Sequence, residues 1–175
     1  MCNYLVFEEV RQTPEFAKYY EAANHFCVFL EESQHLATIR FLELIRTHLL
    51  RLYATALDMP WVDLQSNKEY DEKLSADALQ IVLSTVAEQL DSARYYWHMF
   101  DPTNDLDTTP VCGDLLDDVS DIYKDLKYSL MIFDLGKEDC EENALWSLKF
   151  DFDAHWGEHC VNALYAIHFY SNKLR

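Results

Sequence analysis

The residues best suited to chemistry lie in the last third of the chain. Asp114, Asp118, Asp121 and Asp125 recur three and four apart in GDLLDDVSDIYKDLKYSL, a spacing that gathers them within about 60° of one another on a helix. Carboxylates so placed repel by roughly a few tenths of a kcal/mol per pair. Three arrangements relieve this: water over a solvated acidic face, a hard divalent cation such as Mg²⁺ or Mn²⁺, or ion pairing with a neighbouring helix. Further on, His155 and His159 form an H-x-x-x-H pair, which puts two imidazoles on one helical face. That is the ligand geometry of a zincin helix, but the intervening residues are Trp-Gly-Glu, so the HExxH protease motif is absent. A zinc or iron site there needs a third ligand from elsewhere. The expectation is that Asp118, Asp121 and Asp125 meet His155 and His159 across two consecutive helices and form a candidate metal site. The cofactor is unknown, with a divalent cation as the candidate.

A second constellation is Lys149 and Asp153, four residues apart and flanked by Trp146 and Trp156. A charge in apolar company must be paired or neutralised. It reads either as a partly buried ion pair with a snorkelling lysine stem or as a pocket with a shifted pKa. Other patterns fail on inspection. Glu32-Ser33-Gln34-His35 is a single E-x-x-H where di-iron bundles use two. Asp101, Thr103, Asp105 and Asp107 begin like a calcium loop, but Leu106 and Cys112 stand where glycine and glutamate are needed. His159 and Cys160 diverge by about 100° on a helix and cannot act as base and nucleophile. No motif assigns a catalytic residue or a cofactor-binding loop.

The elements that must position these groups are helical. Thr13-Pro14-Glu15 is a helix start, followed by a seam of Phe16, Tyr20, Ala23, Cys27 and Leu30; a short helix can precede it. A second helix is predicted from about Ser33 to Leu57, with Phe41, Leu42, Ile45, Leu49, Leu52 and Ala56 on one face, stopped by Met59-Pro60. Ser75 caps a third, whose stripe reads Leu79, Val82/Leu83, Val86, Leu90, Ala93 and Trp97. A loop containing DPTNDLDTTPVCG leads to the fourth helix, about 114–135, which ends at Gly136. The fifth spans about 139–171 with a very wide apolar arc that includes Trp146, Phe150, Phe152, Trp156 and Val161, which makes it the central, most buried helix. The fold class expected is all-α: one domain over residues 1–175, a bundle of five to six helices, with at most one stray pair of strands.

Composition agrees. The 175 residues are 50% hydrophobic, enough for a substantial core, and contain 3 glycines, too few for glycine-rich phosphate loops or serial hairpins. A formal charge of −17 repels phosphate, which argues against nucleic acid and anionic membrane as partners. A homodimer is left open, since Tyr95 and Tyr96 adjoin Trp97 as candidate exposed aromatics; an unidentified protein partner is equally open. The N-terminus has no leader pattern and no stretch is long and apolar enough to span a bilayer. The five cysteines, Cys2, Cys27, Cys112, Cys140 and Cys160, are odd in number and contain no CxxC. They are read as reduced thiols, mostly core fillers, in a cytoplasmic protein.

The acidic helix together with ALWSLKFDFDAHWGEHCVNALYAIH, and the segments LLRLYATALDMPWV and YYWHMFDPTNDLDTTPV, resembles a bacterial family of all-helical proteins, domain of unknown function 5063. The resemblance covers most of the chain. It implies an all-helical cytoplasmic protein and carries no substrate or catalytic residue. By architecture alone, two analogies apply. DinB-like bundles hold a metal on three histidines, for which His155, His159 and His35 or His48 are available. MazG-like pyrophosphohydrolases hold Mg²⁺ on E-x-x-E and E-x-x-D pairs, of which Asp118-Val119-Ser120-Asp121 is a loose relative. The expected function is that of a helical accessory or binding protein, with a metal-binding hydrolase or transferase as the alternative.

Overall fold

The computed structural model describes residues 4–68, 70, 73–106 and 108–174. Helix starts fall where side chains can cap them. Thr13 accepts a hydrogen bond from the Phe16 amide at 3.1 Å and opens the helix Pro14–Glu32, with proline in its first turn. Ser75 likewise accepts from the Ala78 amide at 3.4 Å. The helices are α1 (Phe7–Arg11), α2 (Pro14–Glu32), α3 (Thr38–Asp58), α4 (Ala76–Leu90) and α5 (Leu115–Phe133), then α6 (Glu138–Asp151), which continues through a π-helical segment (Phe152–Trp156) into α7 (Gly157–Lys173). Counting that last rod as one gives six helices among the described residues. The fold is all-α, as its periodicity predicts.

Packing follows the apolar stripes. Phe41, Leu42, Ile45, Leu49, Leu52 and Ala56 of α3 are all fully buried, and α3 lies between α2 and α7. The α5 helix packs on α2, α6 and α7. The last rod is central: Leu145, Leu148, Phe152, Trp156, Cys160, Ala163 and Ile167 are buried along its length. Phe150 and Val161, assigned by the sequence to the same arc, are instead exposed, and Phe150 stacks on Trp146 at 4.5 Å on the surface. Between α5 and α6 the chain turns at Gly136, whose φ is +63°. Cys27, Cys140 and Cys160 are buried free thiols and Cys112 is an exposed one; Cys2 and Asp107 lie outside the described residues. No described helix is long and apolar enough to cross a membrane.

The strand content exceeds one stray pair. β1 (Tyr4–Leu5) runs parallel to β2 (Trp61–Val62), and β3 (Tyr95–Met99) pairs antiparallel with β4 (Pro110–Asp114), Tyr96 opposite Gly113. The third helix therefore stops before Ala93 and Trp97. Asp91 adopts φ 48° and ψ −120°, a positive-φ conformation that favours glycine, and the chain leaves the helix axis there. Tyr95 and Trp97 stay exposed, but Tyr96 is buried. The hairpin thus lays Tyr96 over the start of α5, where it becomes part of the site.

Candidate metal centre

The acidic face of α5 is neither bare nor solvated. Asp114 is the N-cap of α5: it accepts from the Leu116 amide at 3.0 Å and holds Arg94 through a fork of three N–H···O contacts at 2.7–3.0 Å. One turn on, Asp118 is 4% exposed. Its Oδ2 accepts from the Tyr96 hydroxyl at 2.6 Å and its Oδ1 lies 2.9 Å from His159 Nδ1. Asp125 Oδ2 lies 2.7 Å from His155 Nδ1. Asp121 sits between them: Oδ1 is paired with Lys124 at 2.8 Å, and Oδ2 lies 3.6 Å from His159 Nε2. The structure thus brings together Asp118, Asp121, Asp125, His155 and His159, through the short α5–α6 connection that makes the two helices neighbours.

This arrangement organises both imidazoles. A carboxylate at Nδ1 fixes the tautomer with the proton on that nitrogen and leaves Nε2 with its lone pair. The rings of His155 and His159 meet edge to face with centroids 5.0 Å apart. One ligand atom each from Asp121, His155 and His159 fall within 4.8 Å of one another. Ligands at about 2.1 Å around a tetrahedral ion stand roughly 3.4 Å apart, close to the 3.6 Å between His159 Nε2 and Asp121. The hydrogen bond to Asp118 and the surrounding aspartates hold the His159 pKa above its ordinary value, against the opposing effect of burial.

Asp151 adds a half-buried acid beside the cluster. Burial first, then the charge of Asp125, pushes its carboxyl up to about 7, with His155 opposing. The folded state thus disfavours the ionised form, and stability falls as pH rises from the unfolded value near 4 through 7. Asp151→Asn is accordingly expected to raise the melting temperature at pH 8, with the gain shrinking below pH 7 and gone below about pH 4. Thermal melts across that range check it.

Lys149, Asp153, Trp146 and Trp156 do not form one pocket. Lys149 is buried, donates to the Ala56 carbonyl at 3.1 Å and lies 3.4 Å from Asp153. It supplies a cation to the C-terminal end of α3, where unpaired carbonyls gather. Its aromatic neighbours are Trp61 and Phe152, at 5.9 and 5.0 Å. Trp156 is in the core against Tyr19 and Phe152, and Trp146 stacks on Phe150. Lys149→Ala is expected to lose about 2 kcal/mol, from the space its buried stem leaves and the lost bond to the Ala56 carbonyl. Lys149→Met, which keeps the buried stem, should lose less; urea titrations of both variants check the order.

Among the described residues no third histidine joins the cluster. His48 stacks on Phe29 at 4.6 Å, and His35, at φ 57°, lines a separate groove with Gln89. Sequence reasoning missed Tyr96. The run Tyr95-Tyr96-Trp97-His98-Met99, followed by a turn-rich stretch, carried the strand signal, but the helical stripe through Ala93 and Trp97 obscured it.

The fold and cluster define a class: an all-α bundle with two histidines and one carboxylate converging between its last helices, each histidine backed by a second carboxylate. The model of the family described as Domain of unknown function (DUF5063) matches residues 10–173, and the chain belongs to that family. The fold is shared with the crystal structure of protein BF1032 from Bacteroides fragilis, at a TM-score of 0.78 and 21% identity over 93% of this chain and 98% of that one. A search of curated proteins gives no significant match.

Proposed function

We propose that this protein is a metal-binding helical bundle that holds a divalent transition ion on His155, His159 and Asp121. The observation that supports the reading is the pairing of both Nδ1 atoms with carboxylates of α5, with His159 Nε2 3.6 Å from Asp121 and one ligand atom each of Asp121, His155 and His159 within 4.8 Å of one another. Carboxylate–histidine pairs of this kind orient metal ligands and raise their basicity. Two nitrogens and one oxygen suit Zn²⁺, Ni²⁺, Co²⁺ or Fe²⁺ better than Mg²⁺, which favours oxygen ligands. Both oxygens of Asp118 are already engaged, which argues against the MazG-like use of Asp118 and Asp121 as a Mg²⁺ pair. Only two histidines converge, so a DinB-like triad is not the model either. Three protein ligands leave a coordination position for water or a small exogenous ligand, and a bound ion there would act as a Lewis acid. With a formal charge of −17, neither nucleic acid nor anionic membrane is a suitable partner.

The test is thermal melting of metal-free protein in Zn²⁺, Ni²⁺, Co²⁺ and Mg²⁺. A site specific to the folded state gives a saturable rise, about 2.7 kcal/mol at a hundredfold excess over Kd, or roughly 5–10 °C for a chain of this size. The rise should occur with the transition ions, be much smaller with Mg²⁺, and vanish in the His155→Ala/His159→Ala double variant. An equal rise in that variant, or none with any transition ion, overturns the proposal.

A further inference from the structure

Beside the metal centre, and independent of it, a groove of about 1030 Å³ opens between the β3–β4 hairpin, the end of α3 and α7. Its apolar walls include Leu57, Trp97, Phe100, Val161 and Tyr165, all exposed, Trp97 by 67% and Phe100 by 73%. Single exposed apolar residues need no explanation, but aromatics converging on one concavity of this size mark a ligand site. Three carboxylates line the groove, with His98 and Asn162 among its other polar side chains. Asp101, Asp153 and Glu158 face the groove, and no lysine or arginine lines it among the described residues. Asp153 is partly neutralised by Lys149 at 3.4 Å. Asp101 accepts the amide and hydroxyl of Thr103 at 2.9 and 2.7 Å, hydrogen bonds that fix the carboxylate and leave its charge in place.

We infer that this groove binds a small organic cation with a flat apolar body. Aromatic faces attract a cation through their quadrupoles, and carboxylates at the margin add a complementary field. The same carboxylates repel anions, and they set acid against acid if a second copy docks through this face. The volume exceeds that of a simple amine and suits a polycyclic or aryl-alkyl ligand.

Three dyes of different charge test the inference by fluorescence titration of the full chain in EDTA, which removes any contribution from bound metal. Thioflavin T is a flat cation, N-phenyl-1-naphthylamine is neutral, and anilinonaphthalene sulfonate is an anion. Thioflavin T should saturate a single site at least about tenfold more tightly than the sulfonate, a difference of about 1.4 kcal/mol. Asp101→Asn/Glu158→Gln should erase that preference and retain the neutral dye. Trp97→Ala/Tyr165→Ala should weaken cation and neutral dye alike by about tenfold. These side chains lie at the surface, and circular dichroism verifies that the variants fold. Equal affinity for cation and anion overturns the inference. So does undiminished thioflavin T binding by the Trp97→Ala/Tyr165→Ala variant, because the dye would then be held by acidic surface elsewhere.

Discussion

Asp118→Ala is expected to lower the stability of the metal-free protein by about 3 kcal/mol, because it strands two donors at once. The Tyr96 hydroxyl, 2.6 Å from Oδ2, loses its acceptor in a buried setting, and the half-buried imidazole of His159, 2.9 Å from Oδ1, loses the partner of its Nδ1. Tyr96 is held on the hairpin by close approach to Gly113, where a Cβ would stand 2.4 Å from the tyrosine ring, so its hydroxyl has little freedom to seek another partner. The fall in melting temperature should be roughly 6–12 °C. Asp118→Asn separates packing from charge. Its amide oxygen can still accept from Tyr96, so much of the stability returns. The charge behind His159 is nevertheless gone, and transition-metal affinity should fall by about 10–100-fold, as for other carboxylates that back a histidine ligand. Urea unfolding and metal titration of the two variants measure the two losses separately. A melting temperature for Asp118→Ala within a degree of the parent would show that neither hydrogen bond supports the fold.

The contact between the aspartates and histidines was legible in the sequence because it needs only two regularities. Spacings of three and four put Asp118, Asp121 and Asp125 on one face of α5, and a short connection at Gly136 brings the next helix alongside. Caps at Thr13 and Ser75 were equally local and equally readable. Tyr96 was not, because Ala93 and Trp97 happen to continue the stripe of α4, and the positive-φ conformation of Asp91 that ends the helix has no strong local signature. The environment of Lys149 was hidden for a different reason. Its flanking tryptophans in sequence lie on its own helix, whereas Trp61 and the Ala56 carbonyl come from a segment roughly ninety residues earlier. Local spacing cannot reveal such a partner. Phe150 and Val161 are exposed for a plainer reason: at about 100° per residue they lie roughly opposite the stripe of Leu145, Leu148, Phe152 and Trp156, so the apolar arc is narrower than the sequence reading made it.

The π turn at Phe152–Trp156 supplies the other large expected effect. The Gly157 amide donates to the Phe152 carbonyl five residues back, and a Cβ on Gly157 would stand 2.3 Å from that oxygen and 3.3 Å from the Phe152 ring. In an ordinary helix interior, glycine to alanine stabilises by roughly 0.5–1 kcal/mol. Here the sign should reverse. A clash with backbone cannot be relieved by a rotamer change, and Phe152 is itself buried, so Gly157→Ala is expected to cost about 3 kcal/mol, or roughly 6–12 °C in melting temperature. The consequence reaches the proposed metal site. His155 lies inside the π segment and His159 just beyond it, so the turn sets the angle between their rings and the direction each presents to Asp121. Gly157→Ala should therefore lose the zinc-induced rise in melting temperature although Asp121, His155 and His159 are all intact. The two readouts are independent, because a substitution that merely loosened packing would lower the melting temperature and keep the saturable zinc response. A variant that melts higher than the parent and still binds zinc would mean that the segment relaxes into regular α-helix, and that the π turn is dispensable for aligning the two histidines.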